Sequence, residues 1–305
     1  MEFQHKSVLL DACIENLQIR PDGIYVDGTL GGGGHSYEIC RHLSEKGRLI
    51  GIDQDAAAIE AAGKRLEEFA DKVTIVRSNY CSMRTELAKL GISSVDGVIL
   101  DLGVSSYQLD TAERGFSFRY DAPLDMRMNT QAQLTAQDVV NEYPVEELAK
   151  IFRIYGEVEN AYKLASLIVS KRALSPIGTT GDLDKAIESV TPKFAQHKYL
   201  AKVYQALRIE VNQEMRSLEK FLEGATKALK SGGRLAVITY HSLEDRMVKN
   251  FIKSGNVDGE VEKDVFGRSV QPLEAVNRKP ILPLEEEISE NTRARSAKLR
   301  IAVKR

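Results

Sequence analysis

The chain predicts an α/β fold: a doubly wound, Rossmann-like parallel sheet interrupted by an inserted all-helical domain. Three observations carry this. From Ile24 to Asp101, short β-rich runs alternate with helical periodicity, as a parallel sheet with right-handed crossovers requires. The run Val26-Asp27-Gly28-Thr29-Leu30-Gly31-Gly32-Gly33-Gly34-His35-Ser36 turns a strand into a helix through four consecutive glycines. After Asp101 the alternation stops, and no comparable strand appears until Leu235, a gap far longer than one crossover needs.

Taken in order, strands are expected at Ile24-Tyr25-Val26, Arg48-Leu49-Ile50-Gly51-Ile52, Val73-Thr74-Ile75-Val76, Val98-Ile99-Leu100 and Leu235-Ala236-Val237-Ile238. Between them Ile59, Ala62, Leu66 and Phe69 recur at helical spacing, as do Tyr80, Met83, Leu87 and Leu90. The insert reads as helices. Pro144 opens one through Leu148, Ile151 and Phe152; Ala161, Leu164, Ala165 and Ile168 follow, then Leu183, Ala186, Ile187 and Val190. The last, through Leu200, Val203, Tyr204, Leu207 and Val211, carries Lys198, Lys202, Gln205 and Arg208 on its opposite face, a stripe that suits either solvent or RNA phosphates. A long helix through Met215, Leu218, Leu222, Ala225 and Leu229 is expected to stop at Ser231-Gly232-Gly233. Residues 277–295, with prolines and the run Glu285-Glu286-Glu287, read as a surface loop, and Leu299, Ile301 and Val303 alternating with Lys298 and Arg300 as a half-buried edge strand. The domains that follow are 1–108 with 209–305 for the discontinuous sheet domain and 109–208 for the insert.

Bulk properties narrow the class. At 305 residues the chain has length for about two domains. No apolar run approaches the roughly 18 residues of a membrane span, and the N-terminus lacks a signal peptide's basic and apolar regions, so a cytoplasmic protein is expected. Cys13, Cys40 and Cys81 are odd in number and far apart, which implies neither a disulfide framework nor a cysteine zinc site. A net charge of −2 excludes a uniform nucleic-acid coat, yet residues 163–216 hold nine Lys or Arg against five Asp or Glu, and 291–305 hold six against none. Such local excess suits a phosphate-contacting face as well as a solvated one.

The glycine run selects a cofactor class. The dinucleotide fingerprint fails, because starting it at Gly31 and Gly33 puts Ser36 where the third glycine belongs, and a P-loop fails because no Gly-Lys-Ser or Gly-Lys-Thr follows. What remains is an acid at a strand end, a glycine turn with a helix N-terminus, and Asp53 at the end of the next strand, placed to accept both hydroxyls of an adenosine ribose. That combination suits S-adenosylmethionine.

Chemistry is expected at Asp101-Leu102-Gly103-Val104-Ser105-Ser106, after the fourth strand. An exocyclic amine on a nucleobase is a poor nucleophile, because its lone pair is delocalised into the ring. Acceptors aimed at its protons localise that pair, and in-line positioning supplies much of the remaining acceleration. Asp101 suits this role or a cofactor contact, and the two are compatible. In Tyr240-His241-Ser242-Leu243-Glu244-Asp245-Arg246, Ser242 and Asp245 read as a capping box, which leaves His241 either as a site residue or as a buried, hydrogen-bonded histidine. Arg114-Gly115-Phe116-Ser117-Phe118-Arg119-Tyr120 interleaves basic and aromatic residues, for base stacking or for core packing.

These residues together resemble the RsmH family, also called MraW, of S-adenosylmethionine-dependent 16S ribosomal RNA methyltransferases. The likeness runs essentially end to end. It rests on His5-Lys6-Ser7-Val8-Leu9-Leu10, Asp27-Gly28-Thr29 with Gly33-Gly34-His35-Ser36, Asp101 to Ser106 with Gln108-Leu109-Asp110, and Pro123-Leu124-Asp125-Met126-Arg127-Met128. It continues through Gln205-Ala206-Leu207-Arg208-Ile209, His241 to Arg246 and Arg293-Ala294-Arg295-Ser296-Ala297-Lys298-Leu299-Arg300. The resemblance implies a class I methyltransferase sheet and methylation of the N4 amine of a decoding-site cytidine, with the small ribosomal subunit as substrate. It also implies cofactor contacts at Gly33, Gly34, His35, Asp53, Tyr80, Asp101 and Gln108, with Asp101, Ser105 and His241 as catalytic candidates and no metal. A homodimer is compatible with this reading. Thr239-Tyr240 stands where the family more often has Ser-Phe, Val158-Glu159-Asn160 follows Tyr155-Gly156-Glu157, and Thr292 replaces a usual Pro. The alternatives are a DNA amino-methyltransferase and a cofactor-sensing RNA-binding protein without turnover.

Overall fold

A computed structural model describes residues 7–261 and 271–305. His5 and Lys6 of the first motif above lie outside the described residues. In chain order the elements are α1 (Leu10–Leu17), β1 (Ile24–Asp27), α2 (Gly34–His42), β2 (Arg48–Asp53), α3 (Ala56–Arg65), β3 (Val73–Arg77), α4 (Met83–Lys89) and β4 (Val95–Asp101). Six helices follow: α5 (Ser106–Asp110), α6 (Ala136–Glu142), α7 (Val145–Ile154), α8 (Ala161–Arg172), α9 (Thr180–Ile187) and α10 (Gln196–Asn212). The chain closes with α11 (Glu214–Ala228), β5 (Leu229–Thr239), α12 (Ser242–Ser254), β6 (Leu273–Ala275), α13 (Glu285–Glu290) and β7 (Lys298–Lys304).

The chain divides into two compact units, Met1–Gly103 with Met215–Arg305, and Val104–Glu214. These divisions stand a few residues outside the insert boundaries expected from the end of strand periodicity, 109 and 208. The sheet belongs to the first unit, in the order β3-β2-β1-β4-β5-β7-β6. Strands β1 to β5 are mutually parallel, and β7 runs antiparallel to both β5 and β6. Central strands are apolar on both faces because helices cover both. Val98 and Leu100 of β4 face a cluster with Leu218, Phe221 and Leu222 of α11 and Val248 of α12, while Ile99 faces Cys13 of α1 and Ile39 of α2. Cys13, Cys40 and Cys81 are free thiols.

The structure differs from the sequence reading at four places in this unit. β7 is an interior strand, hydrogen-bonded by β5 on one side and β6 on the other, so Arg300 is 9% exposed and its Nε donates to Asp245 Oδ1 at 2.7 Å. The Glu285-Glu286-Glu287 run opens α13 instead of lying in a loop; acids in a first turn favour a helix through its dipole. Glu287 accepts the backbone N–H of Leu9 at 2.7 Å. Ser231-Gly232-Gly233 lies inside β5, where a register irregularity between Val95 and Gly97 of β4 absorbs it. α12 is capped by His241 paired with Glu244, one residue ahead of the expected Ser242 and Asp245.

The second unit is helical and has its own core, in which Phe152, Leu164, Ile168, Leu183, Val203 and Leu207 are fully buried. The basic stripe of α10 is largely spent on the fold. Lys202 Nζ donates to the Glu157 carbonyl at 2.9 Å, Gln205 Nε2 to the Tyr155 carbonyl at 2.7 Å, and Arg208 makes a two-pronged pair with Glu214 at 2.8 and 2.9 Å. Phe116 packs in the core under the Arg114 guanidinium, and Phe118 meets Tyr204 edge-on. Among the described residues no helix is long and apolar enough to cross a membrane.

Candidate active site

Three strands of the sheet end on aspartate: β1 at Asp27, β2 at Asp53 and β4 at Asp101. Parallel register aligns these ends, with Asp27 opposite Gly51 and Ile99, so three carboxylates crowd one edge. The sheet order reverses between β1 and β4, the point at which doubly wound folds open a crevice for ligand. Asp27 is buried; Ser36 Oγ donates to its Oδ2 at 2.7 Å and the Thr29 N–H to its Oδ1 at 3.1 Å. Burial nevertheless pushes its carboxyl up to about 6, against those two bonds, and Asp53 adds to the rise. Burial pushes Asp101 up to about 7, with Asp27 and Glu244 adding to it, and raises Asp53 as well. The edge is thus short of positive charge, a donor set that fits a cationic ligand such as a sulfonium with an ammonium group.

The glycine turn shapes the approach. Gly33 caps α2 in the left-handed region at φ 76°, and a Cβ there would press to 3.3 Å on Ala62 of α3. Glycine therefore lets the turn lie flat on α3, and the first N–H groups of α2 have no intrahelical acceptor. Gly34 and His35 begin that helix. The Gly31 N–H donates to Asp53 Oδ2 at 2.8 Å and the Asp55 N–H to Asp53 Oδ1 at 2.9 Å, which fixes the carboxylate and still leaves lone pairs for hydroxyl donors. Tyr80, in the 3-10 turn after β3, stands edge-on to Phe221 with ring centroids 5.6 Å apart.

Around Asp101 the bonds are specific. Its N–H donates to Thr29 Oγ1 at 2.6 Å, and Tyr240 Oη donates to its Oδ1 at 2.9 Å. His35 Nδ1 lies 3.9 Å from Asp101 Oδ2. This is no ion pair, because burial holds His35 down to about 4 and it is neutral near pH 7. The remaining two catalytic candidates, together with Gln108, are occupied by helix caps. Ser105 and Gln108 form the capping box of α5, each side chain accepting the other's backbone N–H at 3.2 and 3.1 Å. His241 Nδ1 accepts the Glu244 N–H at 3.4 Å, and its Nε2 stands 3.1 Å from Glu244 Oε1 without an aligned hydrogen bond. Sequence reasoning assigned no role to Ser36, Thr29 or Tyr240. Ser36 and Thr29 sat inside the glycine motif, and Tyr240 follows the strand neighbouring Asp101, a relation visible only once strand order is known.

A sheet of this order with β7 as the one reversed strand among the described residues, and with a glycine turn and acids at its switch point, defines a class I methyltransferase of Rossmann-like fold. The model of the MraW methylase family matches residues 2–305, and the chain belongs to that family. It is 54% identical over 310 residues to ribosomal RNA small subunit methyltransferase H 2 of Agathobacter rectalis, covering 99% of this chain and 98% of that protein. It is 51% identical over 304 residues to ribosomal RNA small subunit methyltransferase H of Phocaeicola vulgatus, covering 100% and 98%. With the protein of the same name from Clostridioides difficile the identity is 49% over 316 residues, covering both chains fully.

Proposed function

We propose that this chain transfers a methyl group from S-adenosylmethionine to the exocyclic N4 amine of a decoding-site cytidine in 16S rRNA, acting in the cytoplasm on the small ribosomal subunit. The observation that carries the reading is the crowding of Asp27, Asp53 and Asp101 at one sheet edge, in a chain of the MraW family. S-adenosylmethionine, when bound, supplies an electrophilic methyl group on a sulfonium and leaves as the neutral thioether. Asp53 accepts the ribose hydroxyls; the turn at Gly33 and Gly34 with the open end of α2 takes the carboxylate; His35, Tyr80 and Gln108 complete the contacts. Asp101 accepts a hydrogen bond from the cytidine amine, which localises the nitrogen lone pair for attack on the methyl carbon, and takes up the proton that the amine sheds. Ser105 holds the turn after Asp101 through its cap on α5, and His241 holds the start of α12. The insert, 104–214, recognises the RNA.

The test is methyl transfer from labelled S-adenosylmethionine to isolated small subunits, followed by mass analysis of the nucleosides. Wild type yields N4-methylcytidine, and Asp101→Ala loses at least a hundredfold in rate. Label on DNA and none on subunits would establish a DNA amino-methyltransferase, cofactor binding without S-adenosylhomocysteine formation a sensing protein, and full activity of the variant would refute the role given to Asp101.

A further inference from the structure

Among the described residues, one hydroxyl is bonded to the Asp101 carboxylate. β5 lies beside β4 in the sheet, and Tyr240 follows its last residue, Thr239. The Tyr240 N–H donates to Glu244 Oε2 at 2.8 Å, so the start of α12 anchors its backbone. Its ring lies over Gly103, which holds a left-handed φ of 91°; a Cβ there would meet Tyr240 Cδ2 at 3.4 Å, an ordinary van der Waals contact. Its hydroxyl then reaches Asp101 Oδ1 at 2.9 Å.

The other groups facing Asp101 cannot replace this donor. His35 Nε2 lies 3.0 Å from the Val8 carbonyl, which only accepts, so the proton of the neutral ring is on Nε2 and Nδ1 offers a lone pair toward Asp101 Oδ2. Asp27 on β1 and Glu244 on α12 are acids that disfavour a second negative charge, and Cys13 on α1 is a buried thiol. Among the described residues Oδ2 therefore has no donor, and the Asp101 side chain is 24% exposed.

We propose that Tyr240 is a positioning residue for methyl transfer: its hydroxyl fixes the plane of the Asp101 carboxylate through Oδ1 and leaves Oδ2 as the oxygen presented to the substrate amine. The inference rests on the reading of Asp101 as the acceptor for that amine. Burial and the neighbouring Asp101 hold the Tyr240 phenol well above the ordinary tyrosine range, so it remains a donor wherever the enzyme works. A hydrogen bond to a carboxylate also favours its charged form, and so opposes the burial that pushes Asp101 up.

The experiment is a pH series of methyl transfer to small subunits by wild type and Tyr240→Phe, which keeps the ring on Gly103. Expected are a fall in kcat of about tenfold at pH 7 with the Kd for S-adenosylmethionine and the KM for subunits within about twofold of wild type. The acid limb of kcat should move upward by about one pH unit, so that the defect shrinks toward pH 9. In an Asp101→Asn background, Tyr240→Phe should change the residual rate no further. A defect equal at every pH, an unchanged rate, or an additive effect with Asp101→Asn would overturn the inference alone; an inactive wild type would overturn the functional reading and the inference with it.

Discussion

Asp53 shows how a single carboxylate is prepared for a ligand. Both its oxygens accept backbone N–H groups, from Gly31 and Asp55, so its orientation is set before any ligand arrives. Burial raises its proton affinity, and those two bonds oppose that rise. A preset acceptor loses little entropy on binding two hydroxyls, and each such charge-assisted bond contributes about 1.5–3 kcal/mol. Asp53→Ala should therefore weaken S-adenosylmethionine binding by at least tenfold in calorimetry. Unchanged affinity would remove the ribose assignment. Asp53 was legible in the sequence because the end of an apolar run marks it, whereas the two N–H donors that hold it were not, since they depend on the path of the glycine turn.

At the scale of elements, motif residues that carry the family likeness and the α10 stripe are held in the architecture of the insert. In Pro123-Leu124-Asp125-Met126-Arg127-Met128, Met126 is fully buried with a left-handed φ of 61°. That strain for a side-chain-bearing residue is held by Asn212 at the end of α10: its Nδ2 donates to the Met126 carbonyl at 2.8 Å and its Oδ1 accepts the Met128 N–H at 2.8 Å. Arg127 closes the loop on Asp125 through two bonds of 2.9 and 2.6 Å and on the Ala132 carbonyl at 2.7 Å. Asn212→Ala should remove about 2 kcal/mol and lower the melting temperature of this unit by about 5 °C in scanning calorimetry. A melting temperature equal to wild type would show that the clamps contribute nothing. The α10 stripe teaches the same lesson, for periodicity shows that its polar residues face outward from the helix, and only packing shows that Lys202, Gln205 and Arg208 are taken up by Glu157, Tyr155 and Glu214.

For the whole molecule, the buried titratable groups at the sheet edge set a pH dependence of stability. Asp27 and Asp101 have folded-state pKa values of about 6 and about 7, above the ordinary 3.8. Their contribution is complete below about pH 4 and is lost as pH rises through those values. His35, held at about 4 against 6.5, acts oppositely, its contribution being present above 6.5 and lost as pH falls toward 4. Asp27→Asn removes one of the two alkaline losses. Between pH 5 and pH 8 the unliganded variant should lose about 1 kcal/mol less stability than wild type, measured by denaturant unfolding at the two pH values. Equal losses would mean that Asp27 is already ionised at pH 5 in the folded protein, its carboxyl not raised by burial.

The sequence by itself determined the alternation of strands and helices, the interruption after Asp101 and the placement of Asp27, Asp53 and Asp101 at strand ends, because hydrophobic period and glycine turns act over a few residues. Only the tertiary structure decided that β7 is interior and reversed, that Ser36 bonds Asp27, that Glu287 meets Leu9 and that Tyr240 meets Asp101. Tyr240 and Asp101 are 139 residues apart, and Glu287 and Leu9 are 278 apart. Such bonds depend on which strands and helices become neighbours, and that choice is made by burial summed over the whole sheet, which no local pattern records.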